Sequence, residues 1–183
     1  NSNSISPGED WNETILHHCV AQFQKRFDHE NGGFGSAPKF PSSHNLLFLI
    51  KYSHIYQKSK ALKMVEKTLQ KMRLGGIYDH IGFGFHRYST DKNWFLPHFE
   101  KMLYDQALNA MAYTEAYYVT KDNKYAEIAS EIFSYVLRDL KNKKGGFYSA
   151  EDADSEGEEG TFYLWNEKEV IETLGEDGHI FLR

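Results

Sequence analysis

Residues 69–82 read LQKMRLGGIYDHIG, a helical pattern that ends at a pair of glycines. The apolar residues before Gly75 recur at the spacing of a helix that begins near Ser59, and a glycine at this place is a typical helix stop. The same junction, two glycines followed by an apolar residue, recurs at 32–34 and 145–147. We interpret the three junctions as an irregular repeat of helix pairs. Such a repeat suggests a toroid of helical hairpins whose working face is built from the long loops.

Helical periodicity extends over most of the chain. Asp122 can cap one helix, and Pro97 stands where a helix accepts a first-turn proline. We therefore predict an all-α protein with a short β-hairpin near 147–165, whose strands are 147–150 and 161–165. The predicted helices are 10–27, 42–55, 59–74, 97–119, 122–140 and 166–171.

The composition limits the class of protein. The chain has 183 residues, 21 Lys and Arg against 26 Asp and Glu, and a net charge of −5. An acidic balance argues against nucleic acid or an anionic membrane as the main partner. Cys19 is the only cysteine, which excludes an internal disulfide and a cysteine-based zinc cluster. Residues 1–12 are polar and show no signal-peptide pattern, and the longest apolar run, 46–50, is too short to cross a bilayer. We therefore expect a cytoplasmic protein.

In segment 75–89, glycines and aromatic residues alternate with four polar residues that can bind a ligand or, except for the arginine, transfer a proton. These residues are Asp79, His80, His86 and Arg87. Aromatic faces beside a few fixed polar groups are typical of a sugar-binding cleft. A packed turn with satisfied histidines is the alternative interpretation.

Segment 94–106 carries a second set. A helix from Pro97 would place His98, Lys101 and Asp105 on one stripe, with His98 in the first turn, where the helix dipole favours a neutral imidazole that can act as a base. Glu100 could orient that base or act as an acid. The alternative is a surface ion pair between Lys101 and Asp105 that contributes little.

The third segment is acidic, with six carboxylates among the nine residues 151–159. Residues 152–158 match the first positions of a calcium loop, but Tyr163 stands where the loop needs a bidentate Glu, so we expect no metal or cofactor and keep calcium as a weak possibility. Two carboxylates could instead serve a glycosidase. A solvated turn is the third interpretation.

Four long motifs resemble one known family: GGFGSAPKFP (32–41), GGIYDHIG (75–82), PHFEKMLYDQA (97–107) and AEDADSEG (150–157). They are similar to the uncharacterised family of thioredoxin-domain proteins represented by bacterial YyaL and mammalian spermatogenesis-associated protein 20. The resemblance implies a thioredoxin-like domain followed by an (α/α)6 toroid of the six-hairpin-glycosidase type, similar to that of N-acylglucosamine 2-epimerases. It also implies that residues 1–183 are a single fragment, about the first half of the toroid, without the thioredoxin-like domain.

The leading hypothesis for function is a carbohydrate-active domain that binds a sugar at the loop face and acts as an epimerase or isomerase. The candidate catalytic residues are His98, Glu100, His86 and Asp105. The candidate substrate-binding residues are Asp79, His80, Arg87, Trp94, Glu151, Asp152 and Asp154.

Two alternatives stay open. One is a glycoside hydrolase that pairs Glu100 with Glu151, Asp152 or Asp154. The other is a non-catalytic scaffold that docks a protein partner or the thioredoxin-like domain of the parent chain. Because half a toroid would expose apolar flanks, we also expect the fragment to self-associate.

Overall fold

The computed structural model describes residues 12–183, which are mainly helical. The helices are α1 (Glu13–Arg26), α2 (Ser43–Tyr56), α3 (Ser59–Leu74), α4 (Leu103–Thr120), α5 (Asn123–Tyr135), α6 (Glu167–Leu174) and α7 (Glu176–Phe181). One π-helical turn, Val136–Leu140, extends α5. Asn12 caps α1 by accepting a hydrogen bond from the Thr14 N–H, whereas Asp10, the predicted cap, lies outside the described residues. Within residues 12–183, no helix is both long and apolar enough to cross a bilayer.

Six short strands form three antiparallel pairs at one end of the helices. β1 (Tyr88–Ser89) pairs with β2 (Pro97–His98), β3 (Lys101–Met102) with β4 (Ala150–Glu151), and β5 (Asp154–Ser155) with β6 (Glu158–Glu159). The chain links α2 to α3 and α4 to α5 by only two residues each, while long loops enter α2, α4 and α6. In each of the helix pairs α2–α3 and α4–α5, the long loops therefore lie at the end opposite the two-residue link.

The apolar core lies between the helix pairs and extends into the loops. Tyr113 of α4 is fully buried and donates its hydroxyl to the Leu69 carbonyl at 2.7 Å, which ties α4 to α3. The Trp94 indole is also fully buried. A Cβ on Gly33, whose φ is +76°, would lie 2.6 Å from that indole, so this glycine is required both by its backbone angle and by the close approach.

The prediction of a helix from Pro97 is wrong, because α4 begins only at Leu103. Residues 97–102 are extended: Pro97 and His98 pair with β1, and the Glu100 carbonyl accepts the Arg87 N–H at 2.8 Å. The strand pairing of residues 97–102 gives hydrogen-bond partners to backbone N–H groups that would have none in the first turn of a helix.

The predicted hairpin partners also differ from those observed. Residues 147–150 do not pair with 161–165; instead β4 pairs with β3, and the hairpin of this region is β5–β6, inside the acidic segment. The helix predicted at 166–171 runs to Leu174, and Asn166 caps it in a capping box with Glu169.

Candidate active site at the loop face

The extended segment 97–102 distributes its side chains on two sides. Because successive side chains of a strand point to opposite faces, His98 and Glu100 share one side, and Phe99 and Lys101 share the other. The helical stripe expected for His98, Lys101 and Asp105 therefore does not form. Two polar groups result, one on each side of the segment.

The first group, which we call the His98 cluster, comprises Arg87, His98, Glu100, Asp105 and Glu159. The Glu100 carboxylate accepts a 2.8 Å hydrogen bond from Arg87 Nη1, and the same oxygen lies 3.6 Å from His98 Nε2. On its other side the imidazole lies 2.6 Å, through Nδ1, from Glu159 Oε1. A carboxylate accepts, so Nδ1 is assigned the hydrogen and a neutral His98 has an open lone pair on Nε2.

The base of the His98 cluster has unused hydrogen-bonding capacity. Four buried side-chain atoms of residues 12–183 have no hydrogen-bond partner. Three of them belong to Arg87 (Nε), to Asp105 (Oδ2) and, one turn further along α4, to Asn109 (Nδ2). Burial raises the pKa of Asp105 to about 7; the Arg87 charge acts to lower it and the Glu100 charge to raise it. Because an unpartnered buried polar atom destabilises a protein, a set of three marks a place where a polar ligand can bind.

His86, a predicted catalytic residue, lies behind the strand instead. It is 2 % exposed, its Nδ1 lies 2.9 Å from the Phe99 carbonyl, and its ring packs edge-on against Phe99 and Tyr163. Burial and the nearby Lys101 charge lower the pKa of His86 to about 4, so the ring is neutral at physiological pH. Its contacts indicate that it positions Phe99.

The low pKa of His86 predicts a pH-dependent stability. Between pH 6.5 and about 4 the unfolded chain binds a proton that the folded His86 does not, so acidification should reduce the free energy of unfolding by up to about 3 kcal/mol. In urea unfolding at pH 7, 5.5 and 4, the His86→Asn variant should lose this pH dependence of the free energy of unfolding. The variant His54→Asn, which replaces an exposed histidine, should keep it. Identical pH profiles for His86→Asn and the wild type would contradict the assignment.

The second group surrounds Lys101, which is 1 % exposed. Its ammonium donates to Asp79 Oδ2 at 2.8 Å and to the Phe83 carbonyl at 2.9 Å, and lies over the rings of Tyr135 and Tyr163. Burial acts to raise the pKa of Asp79, but the charge and hydrogen bond of Lys101 outweigh it and lower the pKa. Lys101 therefore pairs with Asp79 and not with Asp105.

Glu151 stands on the same side as Lys101, opposite it in the β3–β4 ladder. Its carboxylate accepts hydrogen bonds from the hydroxyls of Tyr135 at 2.6 Å and Tyr163 at 2.8 Å. These bonds, with burial as the larger cause, raise the pKa of both tyrosines. A cleft of about 560 Å3 opens beside this group.

The remaining candidates lie outside both groups. His80 is exposed and lies within hydrogen-bond distance of Arg73 and the Gly75 carbonyl. Trp94 is fully buried and donates its indole N–H to the Asn31 carbonyl at 2.9 Å, so its ring cannot contact a ligand. Asp152 and Asp154 are exposed in the acidic loop.

Glu159 is the functional candidate that sequence reasoning missed, since nothing in an acidic run distinguishes the carboxylate that contacts His98 from its neighbours. In the part of the chain that the structure describes, no three His, Cys, Asp or Glu side chains form a group that could hold a metal ion. Calcium binding at 152–158 stays a prediction.

Comparison with known proteins supports the toroid. No family model matches the sequence. Human spermatogenesis-associated protein 20 is 49% identical over 173 residues, which are 89% of this chain and 22% of that protein. The chain thus spans about a fifth of the length of the curated relatives it matches. A thioredoxin-like neighbour domain stays a prediction.

Solved structures with a similar fold include an epimerase and a mannanase. The cellobiose 2-epimerase of Bacillus thermoamylovorans superposes with a TM-score of 0.66 at 17% identity, covering 77% of this chain and 42% of the epimerase. A family 76 α-mannanase of Bacteroides thetaiotaomicron has a TM-score of 0.63 at 13% identity, covering 92% of this chain and 52% of the mannanase. The described residues therefore form part of an (α/α)6 toroid, as the helix-pair repeat and the resemblance together predicted.

Proposed function

We propose that this domain binds a reducing sugar over the His98 cluster and epimerises or isomerises it by proton transfer at the carbon next to the carbonyl. The observation that carries the proposal is the unused hydrogen-bonding capacity of Arg87 and Asp105 in one cluster with His98, whose Nε2 makes no hydrogen bond within the described residues and lies 3.6 Å from the Glu100 carboxylate. The similarity to a sugar 2-epimerase supports it at the level of the fold.

Each residue of the cluster has a role that is consistent with its contacts. His98 removes the proton through Nε2, and the imidazolium that forms exchanges with solvent and returns a proton to C1, which gives the isomer, or to C2 after the enediolate has turned its other face, which gives the epimer. Glu159 holds the ring through Nδ1 and stabilises this imidazolium. Arg87, oriented by Glu100, donates to the oxygen that becomes negative in the enolate. Asp105, with a pKa of about 7, is partly protonated at neutral pH and can exchange a proton with that oxygen.

A glycoside hydrolase is the second candidate, and one observation favours it. Asp105 has the raised pKa of a general acid, and the charge of the Glu100 carboxylate acts on it. The carboxylates first considered as partners of Glu100 fit less well. Glu151 lies on the opposite side of the strand, bonded to two tyrosines, and Asp152 and Asp154 are exposed.

Hydrogen exchange with solvent tests the proposed reaction. Incubated in deuterium oxide with mannose, glucose, mannobiose or cellobiose, the full-length protein should incorporate deuterium at C2 of the reducing sugar. His98→Ala should slow this exchange about 10²–10⁴-fold, the range for loss of a general base. His80→Ala, a histidine outside the cluster, is the matched control and should exchange normally. Disaccharide cleavage without deuterium at C2 would favour the hydrolase, and full exchange by His98→Ala would exclude His98 as the base.

A further inference from the structure

The cleft on the Lys101 side of segment 97–102 has no role in the reaction proposed above. Its volume of about 560 Å3 lies within the range of roughly 300–1,000 Å3 that is typical of ligand sites. Its lining combines fixed polar groups with exposed aromatic rings. The lining residues with groups open to a ligand are Arg138, Tyr148, Glu151 and Phe162.

The polar groups are fixed in place and have capacity left. Each oxygen of Glu151 accepts one tyrosine hydroxyl, which holds the carboxylate rigidly and leaves lone pairs for a further donor. The Arg138 guanidinium uses Nε and Nη2 for Asp139 and the Gly82 carbonyl, so Nη1 can still donate. Tyr148 accepts from Asn142 at 2.6 Å, and its hydroxyl hydrogen remains available. The cleft thus offers both donors and acceptors.

Two aromatic rings that line the cleft are exposed. Phe162 is 73 % exposed and Tyr148 is 53 % exposed, so neither contributes a buried face to the core. An apolar ring that stands beside fixed polar groups can stack on the C–H face of a sugar ring while those groups bind its hydroxyls.

The charges of the cleft favour a neutral ligand. Three carboxylates, those of Asp79, Asp139 and Glu151, stand against the cations of Lys101 and Arg138, and both cations are paired with carboxylates. The lining therefore has one negative charge in excess, which disfavours a phosphate. The carboxylate without a cation, Glu151, already accepts two tyrosine hydroxyls and is not an open site for a simple cation. A polyhydroxylated ring, which donates and accepts at every hydroxyl, matches this lining better.

We propose that the cleft is a second saccharide subsite, so that the substrate has at least two sugar units. This inference rests on the proposed function, because the His98 cluster must bind the reducing unit. The acidic loop, residues 151–159, borders both the cleft and the His98 cluster, because Glu151 lines the cleft and Glu159 contacts His98. Tyr163, which donates to Glu151, stacks on Phe99, the neighbour of His98 in the chain, so this pair of rings stands between the two places.

The test compares a disaccharide with its monosaccharide. In calorimetric titrations of the full-length protein, mannobiose or cellobiose should bind roughly tenfold more tightly than mannose or glucose, the gain that one added stacking contact supplies. Phe162→Ala should remove this gain in affinity without weakening the binding of the monosaccharide. Phe181→Ala is the matched control, because Phe181 is 72 % exposed and does not line the cleft, and it should keep the gain.

Two outcomes separate the subsite from the reaction. Equal affinities for monosaccharide and disaccharide, or a disaccharide preference that survives Phe162→Ala, would overturn the subsite even while deuterium exchange at C2 continues. A disaccharide preference that depends on Phe162 in a protein without exchange would support the subsite and overturn the epimerase.

Discussion

Lys101→Met is expected to destabilise the fold by about 3–5 kcal/mol, a large fraction of the stability of an ordinary domain. The ammonium is buried and saturated by Asp79, the Phe83 carbonyl and two aromatic rings. Its loss leaves the Asp79 carboxylate half-buried and without its cation, although the N–H groups of Ile81 and Gly82 still donate to it. Urea unfolding at pH 7 measures the change.

Two controls isolate the unpaired charge as the cause. Asp79→Asn combined with Lys101→Met should restore part of the lost stability, because no unpaired charge is then buried. Lys168→Met, at an exposed lysine in an i,i+4 pair with Glu172, should change the free energy of unfolding by less than about 0.5 kcal/mol. If the double variant is as unstable as the sum of the single variants, lost packing and not the charge explains the effect.

The helices were predictable because their signals are local. In α3 and α5, apolar residues at helical spacing stand between a start signal and a stop, and the structure confirms these elements within a few residues. The Gly-Gly junction was also informative, since Gly32 and Gly33 lie against α3 and Trp94 at distances that no side chain would allow.

Segment 97–102 could not be predicted in the same way. Pro97 and the apolar residues after it satisfy the local rules for a helix, but the segment pairs with 88–89 and with 150–151, and the second partner is about fifty residues away. A pairing of that range leaves no local periodicity in the sequence. The ladder therefore decides the conformation against the helical pattern.

Part of the candidate site was nevertheless predictable from residue types. Arg87, His98, Glu100 and Asp105 were singled out by their chemistry, and they come together although His98 and Glu100 lie on extended backbone and not on the expected helix turn. The tyrosines that hold Glu151, Tyr135 and Tyr163, were not singled out. Tyr135 lies in an ordinary apolar stripe and Tyr163 in an aromatic run, patterns that are typical of residues with a structural role.

Asp105→Asn is expected to stabilise the fold and to abolish the proposed deuterium exchange at C2 of the sugar. At pH 8 the folded chain holds a buried carboxylate with an unpartnered oxygen, whose pKa of about 7 is far above its ordinary value of 3.8. That difference corresponds to an upper limit of about 4 kcal/mol, and because the side chain is partly accessible to solvent we expect a gain of about 1–3 kcal/mol. Since a raised acid pKa favours the protonated folded state, the gain should shrink as the pH falls from 7 to 4.

The combination of both effects is what distinguishes a functional carboxylate from a structural one. A residue kept for stability should destabilise the protein when it is neutralised, whereas a residue kept for proton transfer is retained despite its destabilising charge. Urea unfolding at pH 8, 6 and 4, together with deuterium exchange at C2, measures both properties, and the exposed Asp177→Asn serves as the control for charge alone. A less stable Asp105→Asn at pH 8, or one that exchanges at the wild-type rate, would remove Asp105 from the mechanism and leave Arg87 and His98 to carry the proposal.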